Sequence, residues 1–261
     1  MVTKPVKESR LVSQEWTLES LEQYLVSKTH HKKPGLPASD KRALVIQLTP
    51  TAQQWIPGLL VSSIPAAREV AAQLIGPLWM AMPEYSELVV RLAGDPDWEV
   101  REWAVSPLVD RYRADPASAW GLYQKWVKEG PDVIQRALAV AIKVLAKVRD
   151  LPIEPLIALV DGLVAVEADF VRRNLGPFCI GASLLPNYPE ETLRHLTGWV
   201  GQASWAARWN AAAAFTAKRS HPLLVRAADF IGPLENDPDI RVRRAAFRAL
   251  RLSGLRDCYN R

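Results

Sequence analysis

The chain has 261 residues, of which 49% are hydrophobic, and its formal net charge is +5 at pH 7. This composition excludes a disordered chain, and the length allows one large domain or two small ones. The N-terminal residues contain no apolar signal core, and no stretch reaches the roughly 20 apolar residues of a membrane span. With two cysteines, Cys179 and Cys258, and no paired spacing, the sequence predicts a cytoplasmic protein that binds no membrane.

The basic residues are concentrated at the two ends of the chain. Residues 1–42 have a net charge of +3 and residues 240–261 of +6, whereas residues 43–239 have −4. A basic end can attract nucleic acid, although such a run is more often a solvated face.

The first 42 residues differ in pattern from the rest. LESLEQYLVSKT is typical of a helix, and HHKKPGLPASDKR is typical of a connection because of its proline, glycine and charged residues. We therefore expect residues 1–42 to form an N-terminal cap or extra helix pair with a basic linker, and residues 43–261 to form the main domain.

A repeat begins after this segment. The stretches DPDWEVREWA and DPDIRVRRAA start at Asp95 and Asp237 and share most of their pattern. An arginine with Ala or Leu three residues later, which we call the anchor, recurs at intervals of 33, 35, 36, 36 and 35 residues. The anchors are Arg68, Arg101, Arg136, Arg172, Arg208 and Arg243. Such near-constant spacing indicates a repeat array.

Each repeat is predicted to contain two helices. The second helices are expected near 65–82, 97–114, 132–149, 169–184, 204–219 and 239–253, and first helices such as 117–130 and 189–202 lie between them. Residues four positions before an anchor, such as Asp97, Asp132, Ser204 and Asp239, are predicted N-caps. No alternating strand pattern occurs, so we expect an all-α, right-handed α-solenoid of about six two-helix repeats, and a monomer.

Rotation of about 100° per residue assigns faces to the second helices. Positions −1, +3 and +6 from an anchor form the predicted core face. The anchor arginine lies at its edge, where we expect it to pair with the N-cap aspartate of an adjacent repeat. Positions +1, +5 and +8 form the opposite face, which lines the concave surface of a solenoid.

The predicted concave surface changes along the array. It begins with Glu69 and Glu102 and passes through an apolar middle of Val109, Val144 and Ile180. Its C-terminal end is basic and aromatic, and Trp103 lies on the flank beside Glu102. Arginines around a tryptophan can hold a phosphate backbone and stack on a base, and a solvated basic face is the alternative. The predicted nucleic-acid-binding residues are Arg173, Trp209, Arg244, Arg248, Arg251 and Trp103.

The D-x-x-x-R-x-x-A pattern in a two-helix unit resembles HEAT repeats over about residues 50–253. The size and tryptophan content are similar to those of bacterial HEAT-like DNA alkylation-repair proteins (the AlkC/AlkD family). This resemblance implies a glycosylase that removes alkylated purines from duplex DNA held in a basic concave groove. The family pattern places an acid four residues after a Trp, which Trp98 and Glu102 match, and an Arg one repeat later, which Arg136 matches. Leu175 and Phe178 stand where the final Trp is expected. In the other register Arg173 and Trp209 match the later half of the pattern, and Arg136 and Leu138 stand where the acid is expected.

Two functions remain open from the sequence. The first is a duplex-DNA-binding repair protein in which Glu102 is the catalytic carboxylate and stabilises positive charge on the sugar. The second is a non-catalytic scaffold that binds a protein helix or tail over the apolar middle. The sequence contains no P-loop, GxGxxG or GxSxG motif and no His-Glu pair in the repeats, so we expect no cofactor and no metal site.

Overall fold

The computed structural model describes residues 15–28, 37–148 and 150–254. The basic residues before 15, the linker residues 29–36 and Cys258 lie outside the described residues. The chain divides into two compact units, one of residues 1–111 and one of residues 112–261.

The described residues of the first unit form a series of α-helices that follow one another along the chain. The helix α7 runs across the boundary at residue 111. The helices are α1 (Leu18–Lys28), α2 (Ala38–Leu48), α3 (Ala52–Val61), α4 (Pro65–Leu78), α5 (Tyr85–Ala93), α6 (Trp98–Trp103) and α7 (Val105–Ala114).

The second unit also contains helices only, within its described residues. Its α-helices are α8 (Pro116–Glu129), α9 (Asp132–Leu145), α10 (Ile153–Leu163), α11 (Asp169–Asn174), α12 (Leu185–Asn187), α13 (Pro189–Val200), α14 (Trp205–Ala214), α15 (Ala228–Ile231) and α16 (Ile240–Leu252). Leu175–Leu184 forms a π-helix, and Lys218–Ala227 and Gly232–Asn236 are 3₁₀ segments.

Equivalent helices of successive repeats pack against each other. In the first unit α2 contacts α4 and α4 contacts α6. In the second unit the second helices contact one another in the order α9, α11 with the π-helix, α14 and α16, and the first helices in the order α8, α10 and α13. Because every regular element among the described residues is helical, the predicted all-α repeat solenoid is confirmed. The helix pair α1–α2 packs on α3 and α4. The domain boundary after residue 42 stays a prediction.

Two of the predicted second helices are interrupted near a proline. The predicted helix 97–114 breaks at Ala104, because Pro107 lacks an N–H and its ring crowds the carbonyl of Trp103. In the predicted helix 169–184 the α-helix ends at Asn174 and the wider π-helix follows. Pro177 has no backbone N–H, so it cannot donate the i→i−4 hydrogen bond of a regular α-helix there. A Cβ at Gly181 would lie 2.0 Å from the Ala214 carbonyl oxygen, so the two backbones approach very closely.

The predicted core face is confirmed for most repeats. Val100, Val171, Leu175 and Val242 have no exposed surface. Phe178 was predicted in the core and is 53% exposed. The i→i+5 turns of the π-helix change the direction of the side chains after Leu175, which moves Phe178 out of the core.

The repeated Asp-Pro-Asp turn is held by two anchor arginines. Arg208 donates from Nε to Asp237 Oδ2 (2.5 Å) and from Nη2 to Asp237 Oδ1 (3.0 Å). The next anchor, Arg243, donates from Nη1 to the carbonyls of Asp237 (2.7 Å) and Pro238 (3.0 Å). Asp239 caps α16, and its own N–H donates to Asp237 Oδ1 at 2.8 Å.

The first copy of the turn is built in the same way. Arg68 makes a bidentate pair with Asp95 (2.7 and 2.9 Å), and Arg101 donates to the carbonyls of Asp95 and Pro96. Asp97 caps α6. The expected pairing of an anchor with the N-cap aspartate was therefore wrong. The partner is the aspartate two residues earlier, while the cap carboxylates accept from amides of their own helices and, at Asp239, also from the Arg241 guanidinium.

The anchors and caps vary between the other repeats. Arg136 lies with its guanidinium carbon 5.4 Å from the ring centroid of Phe170, and Arg172 lies between two tryptophan rings. Asp132 was predicted as an N-cap, but it is the first residue of α9 and Pro131 occupies the cap position. Ser204 caps α14 as predicted.

Replacing Arg208 with alanine tests the contribution of the turn to stability. The variant leaves Asp237, whose side chain is 3% exposed, without its guanidinium partner. We expect the free energy of unfolding at neutral pH to fall by roughly 3 kcal/mol in urea titrations. Arg226→Ala is the control, because its pair with Glu190 is exposed and its loss should leave the unfolding midpoint nearly unchanged.

The free energy of unfolding of Arg208→Ala should depend less on acidic pH than that of the wild type. Burial alone would raise the pKa of Asp237, but the hydrogen bonds from Arg208 and from the Asp239 N–H outweigh it and lower the pKa. A lowered carboxyl pKa stabilises the fold above the unfolded value, and this stability is lost as pH falls from about 5 towards 3. Equal losses in Arg208→Ala and wild type over this range would contradict the assigned pair.

Candidate nucleic-acid interface

A groove of about 420 Å³ lies in the second unit where α11, the π-helix, α14 and α16 meet. We call it the arginine groove. Its lining residues are Asp169, Arg172, Arg173, Pro177, Trp209, Ala213, Thr216, Arg241, Arg244, Ala245 and Arg248. The structure thus brings together four residues that the sequence analysis predicted for nucleic-acid binding, from three successive repeats.

The helix α16 supplies one wall of the arginine groove. Its apolar face is buried through Val242, Ala246 and Ala249, so the basic residues are left on the other side. Arg244 and Arg248 are exposed, and their spacing of four residues places them on the same face of the helix. Arg251 is also exposed, but it does not line the groove.

The opposite wall is organised by Asp169 at the start of α11. Its carboxylate accepts hydrogen bonds from Arg172 Nη2 (3.0 Å) and pairs with Arg173 Nε (2.6 Å). Arg173 nevertheless keeps a side chain that is 74% exposed. Among the described lining residues one carboxylate stands against five arginines, so the groove lining has a net positive charge.

Arginine and tryptophan side chains alternate beside the groove. The guanidinium carbon of Arg241 lies 3.2 Å from the ring centroid of Trp205, and that of Arg172 lies 4.6 Å from the centroids of both Trp205 and Trp209. We call these four residues the Arg–Trp stack. Such contacts combine cation–π attraction with planar stacking. Arg172 therefore fixes Trp209, which is half-buried, at the groove wall.

The Arg–Trp stack also shifts proton affinities. Burial between the rings lowers the pKa of Arg172. Bidentate hydrogen bonds from Arg241, at 3.0 and 2.6 Å, are the largest cause that lowers the pKa of Asp239 to about 2. The hydrogen bond to Asp239 in turn raises the pKa of Arg241. The carboxylates of Asp169 and Asp239 orient the guanidinium groups without neutralising the whole groove.

The other predicted site residues lie in the first unit. Glu102 is exposed on α6, and Trp103 is half-buried on the same helix, where the ammonium of Lys41 lies 4.5 Å from its ring centroid. Neither residue lines the arginine groove. Trp98, which precedes Glu102 by four residues, is 58% exposed.

Two expectations about the concave face are corrected. Glu69 was predicted on the open surface, yet it is fully buried in an ion pair with Lys41, because α2 packs against α4. In the predicted apolar floor, Ile180 is fully buried in the π-helix and Val109 is 8% exposed, which leaves Val144 as the exposed member. The continuous apolar floor that the sequence predicted for a protein partner is therefore not present at these three residues.

Sequence reasoning missed Asp169, Arg172, Trp205 and Arg241 as parts of the site. Arg172 was interpreted only as a structural anchor. The signal was present in DFVRRN, where an aspartate precedes two arginines by three and four residues, the spacing of helical ion pairs. The stacking across three repeats required the helix packing itself.

The described ranges also bear on metal binding, membrane insertion and thiol chemistry. No group of three or more His, Cys, Asp or Glu side chains there is placed to hold a metal ion. No helix in those ranges is long and apolar enough to cross a membrane. Cys179 is buried in the π-helix, and burial raises the pKa of its thiol.

Comparisons with known proteins found only weak structural likenesses. No protein-family model matches the chain, and no curated protein matches it. An engineered protein is similar in structure, with 15% identity, coverage of 77% of this chain and 98% of that chain, and a TM-score of 0.35. A designed armadillo repeat protein shows 19% identity, coverage of 79% and 99%, and a TM-score of 0.34. At such low values these likenesses carry no information on function.

Arg172→Met tests whether the stack supports the groove. Methionine keeps an apolar stem between the rings and removes the guanidinium with its two cation–π contacts and its hydrogen bonds to Asp169 and to the Glu167 carbonyl. We expect a loss of about 2 kcal/mol in the free energy of unfolding, measured by urea denaturation. Arg173→Met on the same helix is the control and should change stability by less than about 0.5 kcal/mol. Equal effects of the two changes would show that the stack contributes nothing specific.

Proposed function

We propose that the arginine groove binds the phosphate backbone of duplex DNA. The observation that carries the proposal is the convergence of five arginines on one groove beside Trp209. Guanidinium groups match phosphate oxygens bidentately and remain charged at any physiological pH. Counterion release on phosphate neutralisation supplies binding that is independent of base sequence.

Several features favour a nucleic acid over another anion. Ala213 and Ala245 are small lining residues that leave room for a backbone to approach the helices. Arg251 is a further exposed arginine of α16 outside the groove lining, so the positive field extends beyond the groove itself. Trp209 adds a flat aromatic surface on which a sugar or base can stack.

Alanine at both Arg244 and Arg248 should weaken DNA binding. Both side chains are exposed, so the helix should remain folded. Each lost phosphate contact should reduce the slope of log affinity against log salt by about 0.9, which gives about 2 for the pair. Fluorescence anisotropy with a labelled duplex at several salt concentrations measures the slope.

The matched control is Arg113→Ala with Arg194→Ala. These two arginines are exposed and lie outside the groove, so the control removes the same net charge. An equal loss of slope in both double variants would mean that net charge alone attracts DNA. Unchanged binding after Arg244→Ala/Arg248→Ala would reject the groove as the binding site.

A glycosylase activity is a second candidate function, taken from the resemblance to the AlkC/AlkD family. Trp98 and Glu102 are both exposed on α6, and four-residue spacing places them on one face of the helix. In this proposal Glu102 stabilises positive charge on the sugar, and the tryptophan contacts the nucleotide. Asp169 is a poorer candidate for this role because two arginines occupy its carboxylate.

Glu102→Gln tests the catalytic proposal, since it keeps the side-chain shape and removes the charge. Release of methylated purines from alkylated DNA should fall about a hundredfold, while the melting temperature stays unchanged. Glu99→Gln, one turn earlier on α6, should release purines at the wild-type rate. Absence of release by the wild type would leave DNA binding without catalysis, and equal release by wild type and Glu102→Gln would place the acid elsewhere.

A further inference from the structure

A second groove, of about 640 Å³, lies on the first helices of the second unit, between the N-terminal parts of α8 and α10. We call it the proline groove. Its side chains are mainly prolines, alanines and the aromatic residues Tyr112 and Trp120, and Glu154 is its one charged lining residue. No residue of the arginine groove takes part in it.

Prolines make both helix starts apolar. Pro116 lies in the first turn of α8, Pro152 occupies the N-cap position of α10, and Pro155 follows in its first turn. The first amides of a helix ordinarily attract anions. A proline ring presents carbon atoms in place of an N–H, so these helix starts favour an apolar ligand over a phosphate.

The aromatic side chains give the groove a rigid floor and a free donor. Tyr112 is 1% exposed and stacks on Tyr123, with ring centroids 6.2 Å apart and an interplanar angle of 18°. Trp120 is half-buried at the groove wall. Within the described part of the chain no group accepts a hydrogen bond from its indole N–H.

Glu154 places a negative charge at one edge of the groove. Glu154 is exposed in the first turn of α10, and it forms no ion pair with any residue that the structure describes. A carboxylate at the edge of an apolar groove complements a cationic side chain of a ligand. The groove therefore combines an apolar floor, a hydrogen-bond donor and an acidic edge.

We propose that the proline groove docks an extended, proline-rich segment of a partner protein that carries a neighbouring arginine or lysine. A polyproline II segment has no internal hydrogen bonds, so its carbonyls are free to accept from the Trp120 indole. The carbonyls within a helix are occupied, and a helical ligand would leave this donor without a partner. The basic side chain pairs with Glu154. This proposal is independent of DNA binding by the arginine groove.

Fluorescence anisotropy with three labelled ten-residue peptides tests the proposal on the full chain. The first contains two Pro-x-x-Pro turns and a terminal arginine, the second has alanine in place of the arginine, and the third is an amphipathic helical peptide of equal charge. We expect saturable binding of the first peptide, about fivefold weaker binding of the second, and the weakest binding of the helical peptide.

Matched variants locate the binding. Trp120→Phe keeps an aromatic ring without the donor, and it should weaken the arginine peptide about fivefold. Glu154→Gln should weaken the arginine peptide and leave the alanine peptide unchanged. Trp55→Phe alters a half-buried tryptophan of the first unit, outside the groove, and should have no effect. Circular dichroism checks that each variant folds. Stronger binding of the helical peptide, absence of binding by all three peptides, or an undiminished affinity in folded Trp120→Phe would overturn the proposal.

Discussion

The buried aspartate of the Asp-Pro-Asp turn is the constraint on which the repeat geometry depends. Asp237 has only 3% of its side chain exposed, so its charge must be matched by the bidentate Arg208. Its oxygen also accepts from the Asp239 amide, and its carbonyl accepts from Arg243. One residue thus joins two successive repeats and positions the N-cap of the next helix. The same arrangement at Asp95 explains why the chain contains this short sequence twice, since any residue without a carboxylate would leave a buried guanidinium unmatched.

Where the Asp-Pro-Asp turn is absent, the anchor position is free for another use. The repeat after Arg172 has no such turn, and the guanidinium instead enters the space between Trp205 and Trp209. A residue that is structural in other repeats therefore becomes part of the wall of the arginine groove. Asp169 then orients Arg172 and Arg173 together, and the groove gains positive charge without long unsupported side chains. Variation within an otherwise regular repeat is the source of the candidate site.

The parts that could be predicted from sequence are those set by local periodicity. The anchor spacing located the second helices, and the positions around Val100, Val171 and Val242 located the core. The facing of Arg244 and Arg248 followed from the same rotation, because α16 is a regular helix. Prediction failed where backbone or neighbours depart from regularity. The π-helix after Asn174 turned Phe178 outward and Ile180 inward, and the packing of α2 on α4 buried Glu69. Those outcomes depend on close approaches between helices, which the rotation of residues around one helix cannot predict.

The second unit therefore presents two chemically different grooves from two different layers of helices. The second helices carry arginines around Trp209, a combination suited to a charged and flat ligand. The first helices carry prolines at their starts and an indole N–H without a partner among the described residues, a combination suited to an extended apolar ligand. Because the layers share one buried core but no lining residues, a ligand in one groove does not sterically compete for the side chains of the other. We therefore expect the proposed nucleic acid and the proposed protein segment to bind the second unit independently of each other.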